Sequence, residues 1–274
     1  KHGNLALPMP LYCSGIGKGQ SYYFSHMLNC LYDCRYCFLQ GMYQSAHYVI
    51  FINYEDFHLA IDEKIRTAGG KTAYFFSGYD CDSLAFDPVT QFSKSFLDFF
   101  QNRPSAFIEL RTQSVQINPL LKRAAIPNRV VAFSFTPENI AEKLELKVPS
   151  MKRRLEAMEK LGRRGWKLGL RFDPLIYFQD FKTAYQKLFN AVFKQINMNW
   201  LHSVSVGPMR FPRNVFHRME TLYPEEKLFA AGLEDQNGMV SYGREREEEM
   251  SEFCENELRK YVPDSILFPF ERAK

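Results

Sequence analysis

The stretch Cys30-Leu-Tyr-Asp-Cys34-Arg-Tyr-Cys37 places three cysteines within eight residues of a 274-residue chain. Thiolates this close in sequence can bind one inorganic centre without ligands from distant parts of the chain. A cubane 4Fe-4S cluster has four irons and is normally held by cysteine thiolates, so three cysteines leave one iron without a protein ligand. The spacing therefore predicts an iron-sulfur cluster with one iron open to a small molecule.

Zinc binding and disulfide formation are the alternative interpretations of these cysteines. A structural zinc site takes four Cys or His ligands, commonly as two close pairs, and His26 is the nearby candidate for a fourth ligand. The remaining cysteines are scattered singly, which does not suggest a disulfide framework: Cys13, Cys81 and Cys254. A zinc-stabilised nucleic-acid-binding module without catalysis is therefore the competing class of function.

Composition describes a globular chain with a mild positive charge. Hydrophobic residues make up 46% of the sequence, and 35 Lys and Arg against 31 Asp and Glu give a net charge of +4. This balance alone does not predict a polyanionic partner. Basic residues are nevertheless concentrated in the segment 152–167, which is either a solvated helix face or a phosphate-binding surface.

The sequence also bears on location. No segment near the start resembles a signal peptide, and no run of about 18 apolar residues is present that could cross a membrane. The cysteine usage and an oxygen-sensitive cluster suit a reducing cytoplasm, where we expect the protein to act. The chain begins at Lys1 rather than Met, so we expect native residues to precede it.

Buried strand patterns alternate with amphipathic helix patterns along the chain. Strands are predicted at 21–27, 72–77, 106–111, 129–135, 166–172 and 203–207, with 48–53 either a strand or an extended connection. Helices are predicted at 55–68, 87–100, 150–162, 181–196, 213–223 and 245–261, before a final strand at 265–270. Repeated strand-helix units predict a parallel sheet with right-handed crossovers. Periodicity alone leaves two forms open, an incomplete barrel and an open doubly wound sheet.

A family resemblance decides between these forms. The C-x3-C-x2-C spacing, with Tyr36 before the third cysteine, resembles the cluster loop of radical S-adenosylmethionine (SAM) enzymes, and the segment 26–41 resembles their spore photoproduct lyase branch. The resemblance implies an α/β fold with a partial (β/α)6 TIM-like barrel, which the strand pattern places at 21–207. The irregular Gly, Pro and Ser of 1–20 predict a lead-in. The pattern at 208–274 predicts a C-terminal extension of helices and a strand that packs on the barrel as part of one globular unit. It also implies a 4Fe-4S cluster on Cys30, Cys34 and Cys37 that binds SAM and reduces it to a 5'-deoxyadenosyl radical.

The resemblance further assigns residues to SAM in the loop after the second barrel strand. Asp82 matches best the position that contacts the SAM amino group, with Asp80 as the alternative. Gly78 allows close approach of the backbone. The competing interpretation is that Asp80, Asp82 and Ser83 only shape the turn and cap the next helix.

Other candidates end the following strands or flank the third cysteine. By resemblance Ser134 would help to hold the SAM carboxylate. The lyases place a lysine where this chain has Gln113, so either Arg111 carries that charge or the contact differs in this chain. Arg171 and Asp173 close the fifth strand as either an ion pair or ligand contacts. Tyr36 and Phe38 either pack on the adenine or shield the cluster from water.

Two further positions depart from the lyase pattern. Tyr79 aligns with the cysteine that returns a hydrogen atom to the thymine radical in the lyases, and Cys81 lies two residues further on, where it shares a face of an extended chain. Both are candidate catalytic residues. Phe38 stands where the lyases carry a tyrosine, and without a phenol it cannot relay a hydrogen atom.

The leading functional hypothesis is a radical SAM lyase that repairs a thymine lesion in DNA. Phosphate contacts would then come from the basic segment 152–167, and an electron donor such as flavodoxin or ferredoxin would reduce the cluster. The alternative within this branch is another substrate: a different nucleobase, a peptide or a metabolite. The departures at Phe38 and Tyr79 keep that alternative open, and the zinc module is the hypothesis from another class.

Overall fold

The computed structural model describes residues 5–10, 15–230 and 232–270. Cys13 and parts of the predicted lead-in lie outside these ranges. The strands in chain order are β1 Leu7–Pro8, β2 Gln20–Phe24, β3 Met27–Leu28, β4 Asp33–Cys34, β5 Val49–Ile50, β6 Ala73–Ser77, β7 Ala106–Thr112, β8 Arg129–Ser134, β9 Glu145–Leu146, β10 Lys167–Leu175, β11 Leu201–Pro208, β12 Arg210–Pro212, β13 Leu233–Gln236, β14 Met239–Tyr242 and β15 Leu267–Pro269. The helices are α1 Leu39–Met42, α2 Tyr54–Thr67, α3 Asp87–Thr90, α4 Phe92–Gln101, α5 Asn118–Leu121, α6 Glu138–Leu144, α7 Met151–Arg163, α8 Phe181–Gln195, α9 Arg213–Leu222 and α10 Arg244–Leu258.

An eight-stranded sheet in the order β1-β2-β6-β7-β8-β10-β11-β15 forms the centre of the molecule. The strands from β2 to β11 are parallel to their neighbours and follow chain order, which is the arrangement of a partial (β/α)6 barrel. β1 pairs antiparallel with β2 at one edge, and β15 adds a parallel strand beside β11 at the other. The predicted fold class is confirmed, including a C-terminal strand.

Helices cover the sheet with apolar faces. The side chain of Ser150 accepts a hydrogen bond from the backbone N–H of Arg153 at the start of α7, as the sequence predicts for a helix cap. Leu155, Met158 and Leu161 are buried on one face of that helix, so the Met and Leu stripe belongs to the core.

Within the described ranges, no helix combines the length and apolarity that a bilayer span requires.

The predicted helix 87–100 is in fact two helices, α3 and α4, so that prediction was wrong. Gln91 separates them with a positive φ of 50°. The Asp87 carboxylate accepts hydrogen bonds from the Ser93 backbone N–H at 2.7 Å and from the Ser93 hydroxyl at 2.6 Å. These bonds satisfy the first turn of α4 and stabilise the break, which periodicity alone does not reveal.

Smaller antiparallel pairings complete the fold and were not predicted. β12, β14 and β13 form a three-stranded sheet, and the β13-β14 hairpin turns through Asn237 and Gly238, both at positive φ. β3 pairs with β5, so the segment 48–53 is partly a strand. β4 pairs with β9, which fastens the cysteine loop to the segment that follows α6.

Candidate active site

The three clustered cysteines line one cavity of about 230 Å³. Its wall also contains residues from the C-terminal ends of the parallel strands, including Ser77 of β6 and Ser134 of β8. Sites gather at this edge of parallel sheets because the loops that follow the strands converge there. The structure therefore brings the predicted cysteine ligands to the edge where the predicted cofactor residues lie.

Each of the three thiols receives a hydrogen bond from an N–H group. The backbone N–H of Tyr32 donates to Cys30 Sγ at 3.5 Å, and the backbone N–H of Leu39 donates to Cys37. The side-chain amide of Gln113 donates to Cys34 Sγ, with Nε2 and Sγ 3.6 Å apart. N–H groups directed at sulfur are the surroundings that iron-sulfur clusters use in proteins, so these residues fit the implied cluster.

Burial keeps the three thiols neutral in the metal-free site. It raises the pKa of Cys30 to about 12 and that of Cys37 to about 11, and it raises the pKa of Cys34 well above its usual range. Metal binding therefore has to displace the thiol protons.

The surroundings of the cysteines do not form a single-ion site. Among the described residues, no three His, Cys, Asp or Glu side chains are grouped closely enough to hold one metal ion. His26, the proposed fourth zinc ligand, stacks on Phe92 with ring centroids 3.8 Å apart, and its Nδ1 lies 3.8 Å from Cys81 Sγ. The geometry thus gives no support to a four-ligand zinc site that includes His26.

The loop after β6 is tightly folded around Gly78, which lines the cavity. Gly78 has a φ of 80°, and a Cβ there would lie 2.6 Å from the Ser83 hydroxyl oxygen. The Ser77 hydroxyl in turn lies 2.8 Å from the Ser83 hydroxyl and donates to the carbonyl of Glu109. A side chain at position 78 would disrupt this packing, so the loop requires glycine.

Asp82 holds this loop against the end of β7. Its Oδ1 accepts hydrogen bonds from the backbone N–H groups of Leu84 and Ala85 at 2.9 and 2.8 Å and from the Thr112 hydroxyl at 2.7 Å. Its Oδ2 accepts from the backbone N–H of Gln113 at 2.6 Å. The side chain thus acts as the turn-capping interpretation expects, and its contact with the SAM amino group stays a prediction.

Asp80 is also buried, with different partners. Its backbone N–H donates to the Ser25 hydroxyl at 3.0 Å, and its carboxylate hydrogen-bonds the Tyr43 side chain. Of the two acidic candidates, Asp82 lines the cavity with the cysteines.

A buried polar network lies behind the cysteine loop. The Tyr36 hydroxyl donates to Glu145 Oε1 at 2.6 Å, and Arg154 Nη2 donates to Glu145 Oε2 at 2.6 Å. Arg154 Nη1 donates to the Ser134 carbonyl at 2.7 Å and to Gln113 Oε1 at 3.1 Å. Three of the predicted cofactor residues, Tyr36, Gln113 and Ser134, are therefore joined by an ion pair that the sequence analysis did not identify.

A second buried ion pair lies inside the sheet. Arg171 donates to both oxygens of Glu109, at 3.2 Å from Nε and 2.6 Å from Nη2, and also to the Ser203 hydroxyl at 2.8 Å. Arg111, which lines the cavity, donates to the same carboxylate from Nε at 3.0 Å. Burial alone would raise the pKa of Glu109, but the charges of Arg171 and Arg111 outweigh it and lower that pKa to about 2. Glu109 thus remains an anion that holds Arg111 in place at the cavity wall.

Arg171 and Asp173 do not pair with each other, although both lie in β10. Arg171 is fully buried and its partner is Glu109, whereas Asp173 lines the cavity and binds Arg210 through two hydrogen bonds of 3.1 and 3.2 Å. The residues differ by two along the strand and would share a face in regular β-structure. The register of β10 against β11 shifts between Phe172 and Leu175, so Asp173 lies in an irregular part of the strand. Arg171 forms an ion pair inside the barrel with Glu109.

The two catalytic candidates, Tyr79 and Cys81, both line the cavity in different surroundings. Tyr79 is half-buried and lies between Tyr23 and Phe38, with ring centroids 4.2 and 5.4 Å away. Cys81 is only 4% exposed and faces His26. The phenol is therefore the more accessible hydrogen source of the two.

The basic segment 152–167 does not form one surface. Arg154 is buried, and Arg163 pairs with Glu159 on α7. Lys152 lies in the first turn of α7 with Arg154, which contacts the carbonyl of the cavity residue Ser134, whereas Lys167 begins β10 at the opposite end of the sheet. A helix of this length separates its ends by about 20 Å. Only the first basic residues of the segment could approach a substrate at the cavity.

Glu109, Glu145, Arg154 and Arg210 are the site residues that sequence reasoning missed. Glu109 carried a usable signal, because a carboxylate in the middle of an otherwise apolar strand pattern requires a buried partner. Arg154 also carried a signal, because it lies next to Leu155, which the α7 pattern predicts to be buried. Glu145 and Arg210 fall in short segments without a periodic pattern.

Comparison with known proteins identifies the family. A family model described as "Spore photoproduct lyase" matches residues 19–274. The chain belongs to the spore photoproduct lyase family. This membership agrees with the three cysteines at the cavity and favours the radical SAM interpretation over the zinc module.

Individual members of the family are distant relatives. The chain is 21% identical over 218 residues to spore photoproduct lyase of Bacillus subtilis (strain 168), a match that covers 78% of this chain and 63% of that relative. The match to the Geobacillus sp. (strain Y412MC61) lyase is 22% identical with the same coverage, and that to the Clostridium acetobutylicum lyase is 19% identical and covers 87% and 73%. The chain thus spans less than two thirds of the length of the first two relatives.

Solved structures of spore photoproduct lyase show the same fold. A mutant with bound AdoMet, which is SAM, and dinucleoside spore photoproduct has a TM-score of 0.82 at 17% identity, with 96% of this chain and 80% of the other covered. A lyase complexed with dinucleoside spore photoproduct has a TM-score of 0.82 at 18% identity, with 95% and 79% covered. At this identity the likeness establishes the fold.

Proposed function

We propose that the protein is a radical SAM lyase that repairs a thymine photoproduct in DNA. The observation that carries the proposal is the convergence of Cys30, Cys34 and Cys37 on one cavity at the C-terminal edge of the parallel sheet. Family membership supports it, as do relatives solved with AdoMet and with the dinucleoside photoproduct.

The three cysteine thiolates would hold a 4Fe-4S cluster. When bound, the cluster supplies one electron, received from a donor such as flavodoxin or ferredoxin, that cleaves a carbon-sulfur bond of SAM to methionine and a 5'-deoxyadenosyl radical. The protein excludes water from the cysteine loop, since Cys34 and Tyr36 are 5% and 6% exposed. Tyr36 and Phe38 shield the centre from water, and the N–H groups described above donate to its sulfur ligands.

Residues at the strand ends would bind SAM. Arg111, held by Glu109, presents a positive charge to the cavity and is suited to the SAM carboxylate, together with Ser134. Gln113 carries no charge, and its side chain is already hydrogen-bonded to Cys34 and Arg154. Arg111 therefore takes the role of the lysine that the family resemblance places at position 113.

Repair would require a hydrogen atom to leave the lesion and the bond between the two thymines to break, which is the chemistry that bound SAM and the cluster would supply. A hydrogen atom must then return to the product, and Tyr79 and Cys81 are the candidates because both line the cavity. DNA would approach from the cavity side, where Lys152 and Arg153 are exposed. Its affinity should fall with rising salt as phosphate contacts are screened.

Anaerobic reconstitution followed by product analysis tests the proposal. Protein loaded with iron and sulfide, then given SAM, reductant and a photoproduct-containing dinucleotide, should form 5'-deoxyadenosine and restore thymine. Cys30→Ala, Cys34→Ala and Cys37→Ala should each bleach the protein and abolish both products. Cys254→Ala is the matched control, because this buried cysteine lies on α10 and should leave iron content unchanged. Wild-type protein that binds no iron, or forms no deoxyadenosine, would refute the proposal.

A second candidate is a radical SAM enzyme of this family that acts on a different substrate. Tyr79 favours it, because the family resemblance places a cysteine there and this chain places a tyrosine packed on Tyr23. Deoxyadenosine formation without restored thymine would support this candidate and exclude photoproduct repair.

A further inference from the structure

Cys34 differs from the other two cysteines in the nature of its hydrogen-bond donor. Cys30 and Cys37 accept from backbone N–H groups, which every residue type except proline provides. Cys34 accepts from the side-chain amide of Gln113 at 3.6 Å, within the usual range for a bond to sulfur. This donor depends on the identity of one side chain, and substitution can remove it.

Arg154 fixes the orientation of the Gln113 amide. Its Nη1 lies 3.1 Å from Gln113 Oε1, and a guanidinium has only donors, so the atom facing it must be the amide oxygen. The amide nitrogen is then directed to the other side, where it lies 3.6 Å from Cys34 Sγ and 3.4 Å from the Tyr36 hydroxyl oxygen. The reversed amide would place two donors together at Arg154 and leave Cys34 without an N–H.

Arg154 is itself held from two further directions. Its side chain is 1% exposed and pairs with the equally buried Glu145, and it also donates to the Ser134 carbonyl. Glu145 accepts from the Tyr36 hydroxyl, so that hydroxyl is committed as a donor and offers its lone pair to Gln113. Every group around the Gln113 amide therefore favours the orientation that directs an N–H at Cys34.

We propose that Gln113 is a positioning residue that tunes the cluster: its amide donates a hydrogen bond to the Cys34 thiolate and raises the reduction potential of the bound 4Fe-4S centre. This inference rests on the proposed function, since it requires the cluster. The added electron makes the reduced centre more negative than the oxidised one. A donor at sulfur therefore stabilises the reduced form more than the oxidised form.

Two substitutions test the donation. Gln113→Met keeps a side chain of similar length and removes the N–H without adding charge. It should lower the potential in an EPR-monitored redox titration, by about tenfold in the reduced-to-oxidised ratio at fixed potential, or about 59 mV for one electron. Gln113→Glu removes the N–H, keeps an oxygen for Arg154 and adds a negative charge, so it should lower the potential further. If Gln113 only anchors Arg154, Gln113→Met should titrate like the wild type, because Glu145 and the Ser134 carbonyl still hold Arg154.

Gln116→Met is the matched control, because it makes the same change at an exposed position three residues further along. Its potential should equal that of the wild type. An unchanged potential in Gln113→Met, with full iron content, would overturn the inference and leave the proposed function intact. Wild-type protein without a cluster would overturn both.

A measurement on unmodified protein covers the case in which a variant fails to bind iron. Wild-type protein carrying ¹⁵N only in glutamine side-chain amides should show a nitrogen coupling to the reduced cluster in pulsed EPR. The Gln116→Met variant, labelled in the same way, should keep the coupling. A wild-type spectrum without coupling would refute the hydrogen bond directly.

Discussion

Arg171 Nη2 lies 2.6 Å from Glu109 Oε2, and the two side chains are 0% and 1% exposed. This pair joins β7 to β10 inside the sheet, where β8 lies between them. Gly169 makes room for it, because a Cβ there would lie 2.7 Å from Arg171 Nη2. The same carboxylate also binds Arg111 at the cavity, so one buried anion connects the barrel interior to the candidate SAM site.

Glu109→Gln should strongly destabilise the protein, because it leaves the buried Arg171 charge without a counter-ion. Breaking such a pair costs about 3 to 5 kcal/mol in the free energy of unfolding. Urea denaturation at neutral pH measures the loss. Glu159→Gln is a suitable control, since Glu159 pairs with the exposed Arg163, and this change should have little effect.

The difference in unfolding free energy between Glu109→Gln and the wild type should depend on pH within a defined window. The folded pKa of Glu109 is about 2, below the usual 4.5, so its ionised form contributes stability at pH values above 4.5. That contribution is lost as the pH falls from about 4.5 to about 2. The two unfolding free energies should therefore converge across this window, and a constant difference would contradict the assignment.

His26 should make the protein less stable on mild acidification. Burial lowers its pKa from 6.5 to about 3, so the unfolded chain binds a proton that the folded protein excludes. Stability should fall as the pH drops from 6.5 towards 3, by on the order of 1.4 kcal/mol per pH unit from this residue. His26→Phe, which retains stacking on Phe92, should remove this component in urea titrations at several pH values. Parallel stability curves for variant and wild type would exclude this role.

Asp82→Ala should weaken the fold as well as any SAM contact. The change leaves the buried N–H groups of Leu84 and Gln113 without their acceptor, at a cost on the order of 3 kcal/mol. Thermal or urea unfolding of metal-free protein measures this cost independently of SAM. Asp98→Ala provides the comparison at an exposed aspartate, and equal stabilities of the two variants would show that the capping bonds contribute little.

Tyr79→Phe should lower the amount of thymine that is restored per SAM consumed. This loss should be larger than the loss in Cys81→Ala. The Tyr79 phenol is half-buried at the cavity, whereas the Cys81 thiol is 4% exposed beside His26. Deoxyadenosine formation should persist in both variants, because neither residue is a cluster ligand. Product analysis with reconstituted protein decides the order, and a larger loss in Cys81→Ala would assign the hydrogen return to the thiol.

The sequence predicted the parts of the fold that depend on local patterns. Six parallel strands and the cysteine loop followed from apolar runs and cysteine spacing, and the family resemblance chose the barrel over an open sheet. The pair Asn237-Gly238 is a hairpin signal, because it favours the positive φ of a tight β-turn, but the strands on either side of it, β13 and β14, were not predicted.

Pairings between distant segments could not be predicted in the same way. Strand patterns place Arg171 and Glu109 inside the sheet, but their contact depends on side chains that reach across β8. Glu145 meets Arg154 because β9 pairs with β4, and a two-residue strand has no periodicity to detect. The candidate site was therefore predicted at the cysteines and strand ends, but not in the ion pairs that position them.

The last strand has a practical consequence for the design of shortened proteins. β15 lies beside β11 and pairs with residues from Val204 to Val206. A version of the chain that stopped before residue 267 would uncover the backbone N–H and C=O groups along that side of β11. Exposed strand edges pair with strands from other molecules. Truncation there should therefore give a protein that self-associates, even though every cysteine ligand is retained.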